Sequence, residues 1–331
     1  MKNQNGAEGR GVALGVSKLR VVAAGLLVAL FAGGAGLEAG DRFRVEAYGG
    51  LTLMNPRDLN LFGRAEQQYN YILFQERLIG WTTGYFTNAF PKMTKALPAG
   101  VRLRYRLNKR FDVSVEAEGF RRAESADIAG TFSYDGDYSL TESRAYDPFR
   151  LEVRALSVMG GLQYRIPAGK STEVEVGAAA GWAWARFDFL SSWTASLDLI
   201  SDGQVINSSV DGATLEGDGK GSAPTAKLMV RLNRALGRRW GFFVETAATY
   251  CRVNSLEGGG RETVLDVPGE TVWRGTWAVK REEIDLPHDS AVILVPTNYW
   301  EGWVASQRER DFVLDISGLR LVAGIYFKWG T

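Results

Sequence analysis

The sequence predicts an all-β fold, an antiparallel up-and-down barrel of about eight strands that spans a membrane, and three observations lead to it. Beyond residue 40, the 331-residue chain has no apolar run long enough for a membrane-spanning helix. Apolar and polar residues instead alternate strictly in several segments, as they do in strands with two different faces. The connections between these segments are alternately short and long, as in barrels of outer membranes.

The first segment resembles an export signal. Four basic residues precede an uncharged apolar run from Val21 to Leu37, and small residues follow this run. This order is typical of a signal peptide, so we expect residues 1–39 to be removed and residues 40–331 to form a single barrel domain. A retained anchor is the alternative, because about 17 apolar residues lie at the lower limit of a span.

The alternation begins directly after this segment. In residues 42–51, apolar side chains at 43, 45, 47, 49 and 51 share one face, and the polar ones share the other. Residues 101–107 alternate in the same way, and 111–117 resume the pattern after a turn at Asn108-Lys109-Arg110. These two runs predict a first β-hairpin.

Two further hairpins and a closing strand complete the pattern. Residues 156–166 and 174–184 flank a Pro-Ala-Gly break, and 228–232 and 240–250 flank a turn ending in glycine. The last alternating run covers 319–329. The total is about eight strands, and an even number closes an up-and-down barrel.

The remaining segments are predicted as loops. Short turns join the strands within each hairpin, whereas long segments join one hairpin to the next, which predicts short periplasmic turns and long external loops. Short extra strands are possible around Thr271–Val279 and Val292–Val295. The four long segments lie near 53–97, 121–153, 190–224 and 254–310.

The polar faces of neighbouring strands carry opposite charges. A soluble lipocalin-type barrel is the rival fold, but its water-facing charges would not need matching partners. In a narrow lumen, unpaired charges are costly, so adjacent strands must neutralise each other. The predicted interior charge network consists of Arg102, Arg104, Arg106, Glu116, Glu118, Glu173, Glu175, Arg231 and Glu245.

Aromatic residues on the apolar faces lie mostly near strand ends, where rings favour the level of the lipid headgroups. The predicted interface aromatics are Trp182, Trp184, Trp240, Tyr250, Phe327 and Trp329.

The mature chain resembles the small outer-membrane barrels of the OmpA and OmpX type. The resemblance rests on the first strand with its Tyr48-Gly49-Gly50-Leu51 end and on the terminal strand through Ile325, Phe327 and Trp329. It implies a location in a bacterial outer membrane, contact with its lipid, and recognition by the barrel-insertion machinery. Family members usually end in an aromatic residue, whereas Gly330 and Thr331 follow Trp329 here.

The sequence carries no catalytic or cofactor motif. Net charge is +1, which gives no basic excess for nucleic acid. The single Cys251 excludes an intramolecular disulfide and paired-cysteine metal sites. The single His288 lies between Pro287 and Asp289, but an acidic neighbour in sequence is no catalytic triad. We therefore expect no cofactor, no metal and no enzyme activity.

These observations predict a non-enzymatic outer-membrane barrel with a lumen filled by side chains. Its external loops would act on an unknown external ligand or surface, or support the envelope. Two alternatives remain: a lipid hydrolase or acyltransferase that uses His288, and a carrier of small hydrophobic ligands. The carrier is suggested by small residues on the inner face of the fifth strand, such as Gly177 and Ala179.

Overall fold

A computed structural model describes residues 42–61, 83–87, 92–134, 139–285, 290–297 and 308–329. These residues are almost entirely antiparallel β-strand, as the alternation predicted, with one helical turn at 57–61. The predicted signal peptide lies outside the described residues. No helix in the described part is long and apolar enough to cross a membrane. The strands are β1 (Phe43–Met54), β2 (Thr83–Thr87), β3 (Lys95–Ala96), β4 (Ala99–Arg106), β5 (Phe111–Tyr134), β6 (Ser139–Pro167), β7 (Thr172–Ser201), β8 (Gln204–Ala235), β9 (Trp240–Val253), β10 (Glu257–Val264), β11 (Thr271–Thr276), β12 (Ala278–Asp285), β13 (Ser290–Thr297), β14 (Arg308–Asp311), β15 (Leu314–Asp315) and β16 (Gly318–Trp329).

Eight of these strands are hydrogen-bonded in a closed circuit, in which every pair is antiparallel. The order is β1-β4-β5-β6-β7-β8-β9-β16, and β16 pairs again with β1. The other strands extend this circuit or form a separate sheet of β12, β13 and β14. Within the circuit, each strand therefore has a neighbour on both sides, so the ring of strands is closed.

The register of the circuit shifts steadily from strand to strand. Starting at Phe43 of β1 and following paired residues once around, the path returns to β1 at Leu53, ten residues farther along. This stagger tilts the strands relative to the axis of the circuit. The path runs through Phe43, Tyr105, Val113, Leu162, Ala178, Leu228, Ala248, Leu319 and Leu53.

Tight turns join the strands at one end of the circuit, which we call the turn end. Residues 107–110, 168–171 and 236–239 form these turns, as predicted for the three hairpins. In the first turn, the Asn108 side chain accepts hydrogen bonds from the backbone N–H groups of Arg110 and Phe111 at 2.8 and 2.9 Å. This side-chain geometry stabilises the reversal of the chain.

Two of the four predicted loops are wrong, because most of 121–153 and nearly all of 190–224 are strand. The strands β5, β6, β7 and β8 have 24, 29, 30 and 32 residues, and they continue together beyond the rest of the circuit at the far end. The turn between β7 and β8 is only Asp202-Gly203, with φ of 50° and 73°. Positive φ at both positions gives the reversal that suits a two-residue hairpin.

The described residues contain sixteen strands, of which eight form the circuit and eight are additional. The two remaining long segments, 53–97 and 254–310, hold most of the additional short strands. Two of these, β11 at 271–276 and β13 at 290–297, lie where the sequence allows short extra strands. Local alternation misses such strands because they have only two to eight residues, too few for a period of two to stand out.

The interior of the circuit has two parts along its axis, which differ in the side chains that fill them. Nearest the turn end, the inward side chains of the circuit are mainly charged. At the far end, a cluster of buried apolar side chains joins the extended strands to the long connections, and it includes Leu59, Phe187, Trp277 and Phe312. The charged interior is thus closed on one side by an apolar core.

Candidate functional site

The charged interior is organised around Arg102. Its Nε donates to Glu116 at 2.6 Å, and its Nη1 donates to Glu245 at 2.8 Å and to Glu46 at 3.2 Å. Lys227 also pairs with Glu116 and lies 3.6 Å from Glu245. A single guanidinium therefore holds carboxylates from three strands, since its planar fork offers five donors.

Several of these ion pairs cross the interior instead of joining neighbouring strands. Arg231 on β8 donates to both oxygens of Glu46 on β1 at 2.6 and 2.8 Å. Arg104 on β4 donates to Glu175 on β7 at 2.7 Å, and to Asp112 at 2.9 Å. All of these side chains are nearly inaccessible to solvent. The space between opposite walls is therefore filled by paired charges.

The charges within this network balance. The inward ion pairs in the described strands join seven cationic side chains to seven carboxylates. Because an unpaired buried charge costs several kcal/mol, this equality is what a filled interior requires. The cations are Arg44, Arg102, Arg104, Arg165, Lys227, Arg231 and Arg320, and the carboxylates are Glu46, Asp112, Glu116, Glu118, Glu173, Glu175 and Glu245.

Two residues of the predicted network differ from the rest in their placement. Glu173 lies at the margin of the network, where its side chain is 33% exposed. Arg106 is half-buried at the end of β4 and takes no part in the ion pairs described for the interior. The structure buries the other seven and brings them together: Arg102, Arg104, Glu116, Glu118, Glu175, Arg231 and Glu245.

Six further members of the network were absent from the predicted set. Each lies on the polar face of its strand, so the alternation that revealed the others carries the same signal for these. Rings complete the packing: the Arg231 guanidinium lies 3.4 Å from the ring centre of Phe243, and that of Arg44 lies 4.3 Å from Tyr326. The six are Arg44, Glu46, Asp112, Arg165, Lys227 and Arg320.

The far end of the interior is sealed by aromatic packing. The ring of Trp277 lies 5.0 Å from Phe187, 5.7 Å from Phe189 and 6.0 Å from Phe312. Its indole N–H donates to the backbone oxygen of Asp218 at 2.9 Å. Such edge-on arrangements are favourable between rings, and the hydrogen bond satisfies the one polar atom of the indole.

The outer surface of the circuit is apolar. Large side chains such as Leu228 and Leu319 are 67% and 61% exposed, and the alternate positions on the same strands point inward. The predicted interface aromatics all lie on this outer surface. Trp182, Trp184, Trp240, Tyr250 and Trp329 are about half exposed, and Phe327 is partly covered by its ring contacts with Trp240 and Trp329.

Most outward rings form a row at the turn end. Four pairs have ring centres between 4.7 and 6.1 Å apart. Trp182, Trp184 and Tyr250 lie on the other side of the apolar surface, towards the far end. The rings of the turn-end row are Phe43, Tyr105, Phe111, Tyr164, Trp240, Phe327 and Trp329.

The candidate catalytic residue His288 lies outside the described residues. Among the residues that the structure does describe, no group of three or more His, Cys, Asp or Glu side chains is arranged to hold a metal ion. Cys251 is a buried free thiol.

No protein-family model matches the chain, and no curated protein matches it. Among solved structures, the outer membrane protease OmpT from Escherichia coli aligns with 7% identity and a TM-score of 0.27, covering 87% of this chain and 97% of its own. A FadL homologue from Pseudomonas aeruginosa and the toluene transporter TodX from P. putida align with 8% identity and TM-scores of 0.17, covering 87% and 88% of this chain and 91% of each of theirs. Likenesses at this level carry no information about activity.

Proposed function

We propose that the protein is a closed, non-enzymatic β-barrel of a bacterial outer membrane, which acts through the structure that projects from its far end. Eight strands cross the membrane, and the turn end faces the periplasm. The observation that carries the proposal is the inverted distribution of side chains, with charges buried inside the circuit and large apolar groups exposed outside it. The structure at the far end would either interact with an external ligand or surface, or support the cell envelope.

The side-chain distribution separates this proposal from the soluble alternative. A lipocalin-type barrel encloses its apolar face and leaves its polar face in water. Here the reverse holds on every strand of the circuit, and exposed apolar patches of this extent are rare on soluble monomers. Lipid is the solvent that favours such a surface, because it removes the cost of exposing apolar groups to water.

The height of the apolar surface fits a bilayer. On β9, Trp240 belongs to the turn-end row of rings and Tyr250 to the far side, ten residues farther along the strand. At ~3.3 Å per residue, this is about 33 Å along the strand. A tilt of about 40° reduces it to ~25 Å along the axis, which is the height of the apolar band in outer-membrane barrels.

The register shift supports a narrow barrel. Eight strands with a shift of ten residues correspond to a tilt near 40°, and eight strands enclose a space that side chains can fill. The interior ion pairs fill that space from wall to wall. We therefore expect no porin-like conductance.

The carrier alternative receives no support from the inner faces. The small residues of β7 leave room that long side chains occupy: a Cβ at Gly177 would meet Gln163 and Met229 within 3.0 Å. A cavity of about 40 Å³ lies higher in the interior, next to Glu118 and Arg320. Its volume suits one or two water molecules and not a hydrophobic ligand.

The projecting strands explain where the protein would act. A membrane-spanning strand needs about 9–11 residues, whereas β5 to β8 have 24 to 32. The excess of about 14 to 22 residues per strand extends ~45–75 Å along the strand direction beyond the band. This projecting sheet presents a rigid surface outside the membrane.

Heat-modifiability and conductance test the proposal together. Cells expressing the protein are fractionated, and gel mobility of the membrane fraction in detergent is compared with and without boiling. A mobility shift on boiling, with no stable conductance in planar bilayers, supports a closed barrel. A soluble protein whose mobility does not change overturns membrane insertion, and large steady currents overturn the filled interior.

A further inference from the structure

Four basic residues form a row across the outer face of four neighbouring strands. Arg121 on β5 is the register partner of Arg154 on β6, which pairs with Arg186 on β7, which in turn pairs with Lys220 on β8. We call these four residues the basic row. It spans three interstrand distances, or about 14 Å.

Carboxylates hold this row in place from the side away from the apolar band. Glu152 accepts hydrogen bonds from Arg121 at 2.6 and 2.9 Å and also pairs with Arg154. Arg186 pairs with Asp188 at 2.6 Å and with Asp218 at 3.4 Å, so the four cations of the row face three paired carboxylates. The guanidinium side chains of the row are nevertheless 36–55% exposed. Fixed, partly exposed guanidinium groups are well suited to bind phosphate, because little conformational freedom is lost on binding.

Arg186, in the middle of the row, lies at the level of lipid headgroups, and the tilt of the strands makes the row rise by about 9 Å along the axis from Arg121 to Lys220. Arg186 follows Trp184 by two residues on the same outward face of β7, so it lies about 7 Å beyond the last exposed ring of the apolar band. Tryptophan favours the boundary between hydrocarbon and headgroups. Cations immediately outside that boundary meet the phosphate layer.

An apolar groove lies below the row on the same wall. Its volume is about 690 Å³, and we call it the wall groove. The groove exists because outward positions here carry small side chains, so that taller neighbours form its sides. At Gly160, an added Cβ would meet no atom within 4 Å, which shows that the position faces open space. The outward lining residues are Gly160, Leu162, Ala178, Ala180, Ala226, Leu228, Ala248 and Tyr250.

The distance between row and groove matches the length of a lipid. Gly160, Ala180 and Ala226 each lie six residues below a member of the basic row on their own strand. Six residues correspond to ~20 Å along the strand, and to about 15 Å along the axis after the tilt. The hydrocarbon core is about 15 Å thick per leaflet, so a groove ~15 Å from the phosphate level lies at the depth of the acyl chains.

We propose that this wall binds one anionic phospholipid, with its headgroup phosphate on the basic row and an acyl chain in the wall groove. The inference rests on the proposed function, since it requires the apolar band to lie in a membrane. The row supplies charge complementarity, and the groove lies within the volume range of ligand sites. The combination selects phosphate-bearing lipids over neutral ones with the same chains.

Native mass spectrometry of the purified full-length protein in detergent tests the site. Phosphatidylglycerol is titrated into the protein, and diacylglycerol with identical chains is titrated in parallel. We expect the protein to retain one phosphatidylglycerol with about tenfold preference over diacylglycerol, which corresponds to one charge-assisted contact set. Equal retention of both lipids overturns the role of the row.

Two variants separate the parts of the site. The double change Arg154→Gln and Arg186→Gln should abolish the preference for phosphatidylglycerol, whereas Gly160→Phe should fill the groove and reduce retention of both lipids. Arg261→Gln, an exposed ion-paired cation on β10, and Ala47→Phe, on β1 at the opposite wall, are the matched controls. Unchanged binding in the site variants, or equal loss in the controls, refutes the proposal.

Two further measurements separate the outcomes. If millimolar inorganic phosphate alone displaces the lipid, the row is a site for the free anion and the lipid proposal is wrong. The same preparations are run boiled and unboiled on gels. A shifted band without lipid retention eliminates only the lipid site, whereas the absence of a shift removes the barrel as well.

Discussion

Replacing Arg102 with methionine should destabilise the barrel more than any comparable change at its surface. Arg102 contacts Glu46, Glu116 and Glu245, and all four side chains are at most 1% exposed. Methionine keeps much of the side-chain volume but leaves the carboxylates with fewer partners. Removing one member of a buried ion pair typically costs about 3–5 kcal/mol.

The structure places the cost towards the lower end of that range. Lys227 still pairs with Glu116, and Arg231 still donates twice to Glu46. Glu245 loses the most, because Lys227 lies 3.6 Å away and Arg231 4.0 Å away. We therefore expect Arg102→Met to lower the free energy of unfolding by ~3 kcal/mol. Adding Glu245→Gln to the same chain should restore part of this free energy, because it removes the unpaired negative charge.

This loss of stability is measured by urea unfolding of the protein in phospholipid vesicles. The folded fraction at each urea concentration is the intensity of the band with folded mobility on a gel of unboiled samples. Arg261→Met is the control, because Arg261 pairs with Glu216 and Glu270 at a site where its side chain is 50% exposed. Exposed ion pairs contribute at most about 1 kcal/mol. A loss of less than ~1 kcal/mol for Arg102→Met, equal to that of the control, would refute the account of a dry, charge-paired interior.

Three further changes probe other parts of the chain. Gly241→Ala should cost about 1–3 kcal/mol in the same urea assay, because its Cβ would lie 2.2 Å from the Tyr326 ring. Trp277→Ala should cost ~3–5 kcal/mol and expose the far end to added protease in intact cells, since the ring is 2% exposed. Burial raises the pKa of Glu152, but hydrogen bonds from Arg121 and Arg154 outweigh it and lower this pKa to about 2. Its stabilising contribution should be complete above pH 4.5 and disappear as the pH falls towards 2, and Glu152→Gln should remove this dependence from unfolding curves.

The projecting sheet changes where functional experiments should be directed. The sequence predicts that external loops carry the external role, whereas more than half of the residues in the four predicted loop segments are paired strand. Paired strands hold their outward residues in a fixed arrangement, as the basic row shows. A binding partner would therefore meet a preformed surface, which lowers the entropic cost of association.

The faces of the strands in the circuit could be read from the sequence. Side chains of a strand alternate with period two, and this is a local property that needs no tertiary contact. It separated inward Arg102, Glu116 and Glu245 from outward Leu228 and Trp240. The three tight turns could also be located, because Asn and Gly mark them directly.

The extended strands could not be recognised in this way. Beyond the exposed apolar surface of the circuit, one face of β5 to β8 meets the apolar core and the other meets water, but charged and small residues occur irregularly on both. Asp202-Gly203 is a hairpin signal, yet without regular alternation beside it the sequence pattern predicts a loop here. Pairing with neighbouring strands, and not local pattern, makes this region β-structure.

The sequence by itself therefore determined which face of each strand in the circuit points inward, and the tertiary structure decided which inward residues meet. Arg231 reaches Glu46 across 185 positions of sequence, and Arg102 reaches Glu245 across 143. Those contacts depend on the ten-residue register shift, which brings distant levels of opposite walls to one height. The shift is the sum of pairings around the whole circuit, so no single segment encodes it.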